Sequence, residues 1–267
     1  MKKKKIFIVS SSRAEYGLLK NLIQKIQTSN FFLCHLSITG THLSKIHGNT
    51  LIEIFKDKIK VNSKIKILQK GDLNNDISTS FSNAVTKYSE LLEKIKPDLI
   101  LILGDRFEIM AVAIASTLHR IPIAHLHGGE ETSGAIDDVM RHSITKMSHI
   151  HFTSTQEYKS RVIQMGENPK LVFNVGAVGL ENLKDIKFKN EHFFKDKYKI
   201  NFKKNTIMIC FHPETISPGL EKKHINEILK SLTHRKNCNL IFSSPNADQG
   251  NKTIISAIKS FVKKNNN

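Results

Sequence analysis

Residues 98–130, DLILILGDRFEIMAVAIASTLHRIPIAHLHGGE, decide the fold of this chain. After Asp98 the run LILIL is unbroken and apolar, the pattern of a parallel strand buried on both faces. Residues 107–118 space their apolar side chains as a helix does, and residues 121–126 read as the next strand. Strand, helix and strand in that order form a right-handed crossover in a parallel sheet. The polar residues fall where each strand stops: Gly104-Asp105-Arg106 after the first, His127-Gly128-Gly129-Glu130 after the second. Ligands of open α/β sheets bind outside the carboxyl ends of strands, so Asp105, His127 and Glu130 are candidates for one crevice. The paired glycines suit a turn with positive φ or a close backbone approach.

Downstream, Asp137-Asp138 opens another helix that carries Arg141, His142 and Lys146. Arg141 lies four residues after Asp137 and three after Asp138, a spacing that puts all three on one helix face. Taken singly, each residue has an ordinary explanation: Gly-Asp is turn chemistry, and Asp-Asp at a helix start complements the dipole. Their convergence on neighbouring strand ends is what marks a site.

Towards the amino terminus, residues 5–10 give a first strand, and SSRAEY leads into an amphipathic helix to about residue 27. Free N–H groups at such a helix start favour an anion, and Arg13 can add a bidentate phosphate contact. A second strand, 31–39, ends in Gly40-Thr41-His42, placing His42 at the same edge. A third strand is expected at 64–68 and a long helix at 77–95, stopped by Pro97. Strands at 149–153 and 171–175 with a helix at 155–165 complete a doubly wound domain over residues 1–180. Residues 181–204, rich in Lys, Asn and Phe, read as a connection. Residues 205–267 contain strands at 206–211 and 239–243, a helix at 220–232 and a last helix to about 264: an incomplete second Rossmann-like domain. No internal repeat is present.

The 267 residues carry a formal charge of +17. The excess is Lys dispersed among Asn and Ile, without an Arg-rich stripe or interleaved aromatics, so a solvated surface is expected and no nucleic-acid partner. No signal peptide and no membrane-length apolar run is visible, which makes cytoplasmic the expected localisation and a membrane partner unexpected. The three cysteines, Cys34, Cys210 and Cys238, are far apart in apolar runs and read as small buried hydrophobes, not as a disulfide set or zinc site.

The motifs SSRAEYGLL, TGTHLS, GDRFE, HLHGGEETSGAIDDVMRHSITKMSH, GAVGLENL, HPET and PNADQG, in that order, resemble the hydrolysing UDP-N-acetylglucosamine 2-epimerases of sialic and legionaminic acid biosynthesis. The resemblance spans nearly the whole chain. It implies a glycosyltransferase-B-like fold, two Rossmann-type domains with a UDP-sugar between them. The implied reaction eliminates UDP anti across C1–C2, adds water at C1 and returns a proton to C2 on the opposite face, giving UDP and the free 2-epimer. By position, Arg13 matches the family's phosphate-side arginine, Asp105 its essential aspartate, Asp137 the acidic residue four before the motif arginine, and His212 the histidine near the diphosphate. Related members have Glu where this chain has His127; an imidazole can transfer the same proton, and Glu130 is the neighbouring carboxylate. His42, Arg141 and His142 complete the substrate-binding candidates. No cofactor or metal is expected, and the family implies a homodimer. Its second domain usually runs roughly another hundred residues, so this chain is expected to be truncated there.

Two other functions compete. One is a truncated, catalytically silent relative with at most weak ligand binding. The other is a metal-dependent hydrolase using His125, His127, His142, His149 and His151, since imidazoles are common metal ligands and 125 and 127 share one side of a strand.

Overall fold

A computed structural model describes residues 2–44, 49–69, 71, 74–133, 135–185, 187–202, 204–213, 219–235, 237–245 and 250–265. The chain forms two compact units, residues 1–185 and 186–267.

The first unit alternates strands and helices: β1 (Lys4–Ser10), α1 (Arg13–Gln27), β2 (Phe32–Ile38), α2 (Leu51–Lys56), β3 (Ser63–Lys64), α3 (Asn74–Ile95), β4 (Leu99–Leu103), α4 (Phe107–Leu118), β5 (Ile123–Leu126), α5 (Asp137–Met147), β6 (Ile150–Thr153), α6 (Gln156–Gln164) and β7 (Val172–Asn174). A 3₁₀ turn, Gly40–Leu43, follows β2, and another, Val178–Asp185, follows β7. The strands form one parallel sheet in the order β3-β2-β1-β4-β5-β6-β7.

Both faces of this sheet are covered, as the unbroken apolar strands require. From β1, Phe7 and Val9 enter one core with Ile100, Ile102, Tyr88, Leu92, Ile109 and Val112. Ile6 and Ile8 enter the other, with Leu101, Leu103, Leu19, Ile23, Leu36 and Ile54. The period of two along each strand sorts the side chains between the two layers. β3 is only two residues long where a strand over 64–68 is expected. Its pairing with β2 stops at Ile38↔Lys64, the last residue of β2.

The second unit holds α7 (Glu191–Tyr198), β8 (Asn205–Ile209), α8 (Glu221–Leu232), β9 (Cys238–Phe242) and α9 (Asn251–Lys264). β8 and β9 pair in parallel, Asn205↔Cys238 through Ile209↔Phe242. Ile225, Leu229 and Ile254 form the core between the helices, joined by Phe211, Phe242 and Phe261. α7 lies in the stretch read as connection. Its start is capped by the Asn190 side chain, which accepts from the Phe193 amide at 3.1 Å. Phe193, Phe194, Tyr198 and Phe202 then pack on one another, with centroids 5.5 Å apart for Phe193–Phe194 and Phe194–Phe202. The cysteines are free, but their expected burial fails twice: Cys238 is buried, Cys34 is half-buried and Cys210 is exposed. Cys210 lies just beyond β8, a strand that is itself largely exposed.

Candidate active site

The polar residues of the first unit gather at the carboxyl ends of β1, β4, β5 and β6. β1 has β2 on one side and β4 on the other. The chain leaves β1 and β4 in opposite directions, which opens a crevice between their ends.

At the end of β1, Ser10 and Ser11 are buried, and Ser12 caps α1 by accepting from the Glu15 amide at 3.3 Å. The Glu15 carboxylate turns back and accepts from both the amide and the hydroxyl of Ser11, each at 2.7 Å. Arg106, from the end of β4, lies 3.9 Å from Glu15 and 3.2 Å from Glu108. Burial pushes the Glu15 carboxyl up to about 7; Arg106 pulls it back, Glu108 adds to the rise, and the Ser11 hydrogen bonds oppose it. Neither Glu15, Arg106 nor Glu108 was a site candidate in the sequence, although Ser12 and Glu15 have the S-x-x-E spacing of a helix start.

Arg13 stands exposed on the first turn of α1 and pairs with Glu53 at 3.2 Å. His42 is fully buried. Its Nε2 lies 3.0 Å from the Ser10 hydroxyl and its Nδ1 2.7 Å from that of Thr50, and burial pushes it down to about 4. With no exposed surface and both ring nitrogens beside hydroxyls, His42 braces the Ser10 end of β1.

At the end of β4, Gly104 turns the chain with φ +83°. Its amide donates to the Leu126 carbonyl at 3.1 Å. The Asp105 carboxylate meets Arg141 in an ion pair. Arg141 is 6% exposed and also donates to the Thr132 hydroxyl at 3.1 Å. The Thr132 amide donates to Asp138 at 3.1 Å, so the loop before α5 is tied to that helix at two points. Asp137 is the first residue of α5. His142 lies 3.7 Å from Asp138, and its Nδ1 is buried without a hydrogen-bond partner among the described residues.

β5 contributes two histidines. His125 is buried; its Nε2 donates to the Gly104 carbonyl at 2.8 Å, its Nδ1 is 3.3 Å from the Thr145 hydroxyl, and burial pushes it down to about 4. His127, just past the strand, has φ +64°. Its amide donates to the Phe152 carbonyl at 2.9 Å and its Nδ1 is 2.8 Å from Glu130 Oε1. The same Glu130 oxygen accepts from Ser154 at 2.6 Å. Burial would raise the Glu130 carboxyl, but the hydrogen bonds from His127 and Ser154 outweigh it and hold it below its ordinary value. Ser154 too escaped sequence reading, for nothing in its neighbourhood signals a link to position 130.

The intervening glycines are required. A Cβ at Gly128 would lie 2.9 Å from the Thr145 hydroxyl, and one at Gly129, with φ +79°, 2.6 Å from the Tyr158 carbonyl. In the second unit, His212 is exposed, 3.2 Å from the Cys210 sulfur. Glu214 and Thr215 of HPET, residues 246–249 of PNADQG and Gly134 of the central motif lie outside the described residues. His151 bonds Glu167 at 3.1 Å, and His149 accepts from the Ile123 amide at 3.4 Å. Among the described residues no three His, Cys, Asp or Glu side chains are grouped to hold a metal ion, and no helix is long and apolar enough to cross a membrane.

Adjacent strand ends therefore present a carboxylate–guanidinium pair and a carboxylate-bound imidazole, groups suited to moving a proton beside a cation that meets developing negative charge. With the sheet order, they define an α/β protein of glycosyltransferase-B-like architecture. The Neisseria meningitidis UDP-GlcNAc 2-epimerase, solved bound to UDP-GlcNAc, has this architecture: TM-score 0.80 at 20% identity, over 97% of this chain and 70% of that one. The profile of the UDP-N-acetylglucosamine 2-epimerase family matches residues 24–266, and the chain belongs to that family. It is 41% identical to the Campylobacter jejuni GDP/UDP-N,N'-diacetylbacillosamine 2-epimerase (hydrolyzing), over 99% of this chain and 69% of the relative. It is 38% identical to the Escherichia coli polysialic acid biosynthesis protein P7, over 97% and 66%. The chain thus spans about two thirds of the length of these relatives.

Proposed function

We propose that the chain works as a hydrolysing 2-epimerase of a UDP-N-acetyl amino sugar, either UDP-GlcNAc or UDP-2,4-diacetamido-2,4,6-trideoxyglucose, in nonulosonic acid biosynthesis. The observation that carries this reading is the convergence of the Asp105–Arg141 and His127–Glu130 pairs on adjacent strand ends. The names of the Campylobacter and Escherichia relatives support the substrate class.

In this reaction a base removes the C2 proton, the C–H electron pair becomes the C1–C2 double bond, and the C1–O pair leaves with UDP. Water then adds through oxygen at C1, and a proton returns to C2 on the other face. UDP-sugar and water are consumed; UDP and the free manno-configured epimer are released. His127 takes the proton-transfer place that glutamate has in related members, beside Glu130. Asp105 and Asp137 supply further carboxylates. Arg13, Arg141 and His212 serve the diphosphate side, because a departing dianion needs cationic or N–H stabilisation. His142 lines the sugar side and His42 supports the loop after β1. The enzyme acts in the cytoplasm, as a homodimer, without metal or cofactor.

The test is incubation of the chain with each sugar nucleotide in deuterated water, reading UDP release and the proton spectrum of the product. Deuterium at C2 of a free manno-configured sugar is the expected result. Release of UDP without C2 deuterium would overturn the elimination. No release with either sugar, while the Campylobacter relative turns over alongside, would leave a silent or ligand-binding protein.

A further inference from the structure

We infer that Glu130 and Ser154 are positioning residues that fix where His127 carries its proton: Nδ1 is held as the N–H, and Nε2 is left as the atom that exchanges a proton with the sugar. The sugar half of this statement rests on the epimerase reading; the tautomer half rests on the contact of a neutral imidazole with an ionised carboxylate.

An ionised carboxylate can only accept hydrogen bonds, and a neutral imidazole has one donor and one acceptor nitrogen. Glu130 Oε1 is 2.8 Å from Nδ1, so Nδ1 must be the donor. Ser154 donates to that same oxygen at 2.6 Å from just beyond β6, which fixes the carboxylate from a third strand end. Nε2 is buried and has no hydrogen-bond partner among the described residues. Buried polar atoms are nearly always matched within a protein, and an exception at a site signals a role there.

The backbone reinforces the arrangement. His127 sits in the left-handed region at φ +64°, rare for a residue with a Cβ and found where surroundings over-determine it. Those surroundings are the Phe152 carbonyl, which accepts from the His127 amide at 2.9 Å, and the two glycines packed against Thr145 and Tyr158. A simple loop clamp would need the His127–Glu130 bond but not a buried, unmatched Nε2.

Long-range ¹H–¹⁵N correlation spectra of the labelled full chain read the tautomer directly, with His127 assigned from the signal lost in His127→Asn. At a pH where the ring is neutral, the expected wild-type spectrum shows a protonated Nδ1 and a bare Nε2. In Glu130→Leu the population shifts towards the Nε2–H form that free imidazole side chains prefer, and C2 deuterium incorporation falls about 100-fold. Ser154→Ala shifts both in the same direction, with incorporation down about tenfold, and carries the test alone if Glu130→Leu does not fold. A neutral wild-type ring with Nε2–H and a bare Nδ1, or a tautomer unmoved in a folded variant, would overturn the inference. A bare Nε2 in a wild type that turns over neither sugar would sink the epimerase reading and leave the tautomer assignment standing.

Discussion

Glu15 is a buried acid whose protonation is coupled to folding. In the unfolded chain it titrates near the ordinary 4.5 and in the folded chain near 7, so between these values the folded state holds a proton that the unfolded state has lost. Stability from this group is complete below pH 4.5 and falls as pH rises towards 7, by about 3 kcal/mol at 1.36 per unit. His42 and His125, both pushed down to about 4, act with the opposite sign: their unfolded forms take up protons first, so they favour folding as pH rises through 4 to 6.5. The Glu15 contribution must therefore be read as a difference. Glu15→Gln, which keeps an acceptor for Ser11 but cannot ionise, should gain stability over wild type in urea denaturation at pH 8 and lose that advantage at pH 4.5. Equal differences at both pH values would show that Glu15 titrates normally. At this scale Asp105 and Glu130 were legible as candidates because strand ends show in apolar runs, and Arg141 because its spacing from Asp137 and Asp138 puts them on one helix face. The sequence hid Glu15, Arg106, Glu108 and Ser154, whose contacts depend on how neighbouring strands bring distant loops together. It also hid the burial of His42, because exposure depends on what covers a loop.

Among the elements, the loop from His127 to Glu130 has the least freedom. Gly129 at φ +79° leaves a Cβ 2.6 Å from the Tyr158 carbonyl and 2.8 Å from the Val162 side chain. Gly129→Ala should cost about 2 kcal/mol through backbone strain together with displacement of α6, lowering Tm, whereas Gly17→Ala, with open space around its Cβ, should leave Tm unchanged or higher. Equal melting of the two variants would contradict a tight approach of this loop to α6. The long periodic elements, α1, α3, α4 and the strands β1, β4 and β5, were legible because periods of 3.6 and 2 are unmistakable over such lengths. β3 was not, since an apolar stretch does not say how far a neighbour's ladder extends. α7 was masked by its lysines; its aromatic packing is local and leaves no amphipathic stripe to read.

For the whole molecule, the two units differ in how much they bury. The first encloses two clusters on either side of a seven-stranded sheet, the second one small cluster beside a two-stranded ladder with Met208 72% exposed. Local stability follows buried apolar contact, so amides of β8 and β9 should exchange with deuterium at least about tenfold faster than those of β1, β4 and β5. Hydrogen-exchange mass spectrometry checks this, and uniform protection across both units would refute it. The order of strands also has a consequence on the ribosome. β1 is an interior strand of the sheet, flanked by β2 and β4, yet its link to the start of β4, from the Lys5 amide to Asp98, spans 93 residues of chain. At roughly 5–20 residues per second, one edge of the apolar segment IFIV waits on the order of 5–20 seconds of translation for its second neighbour. For that interval the nascent chain carries a sticky, half-mated strand, and trigger-factor-like holding activity, codon speed between residues 40 and 98, and synthesis temperature become determinants of yield.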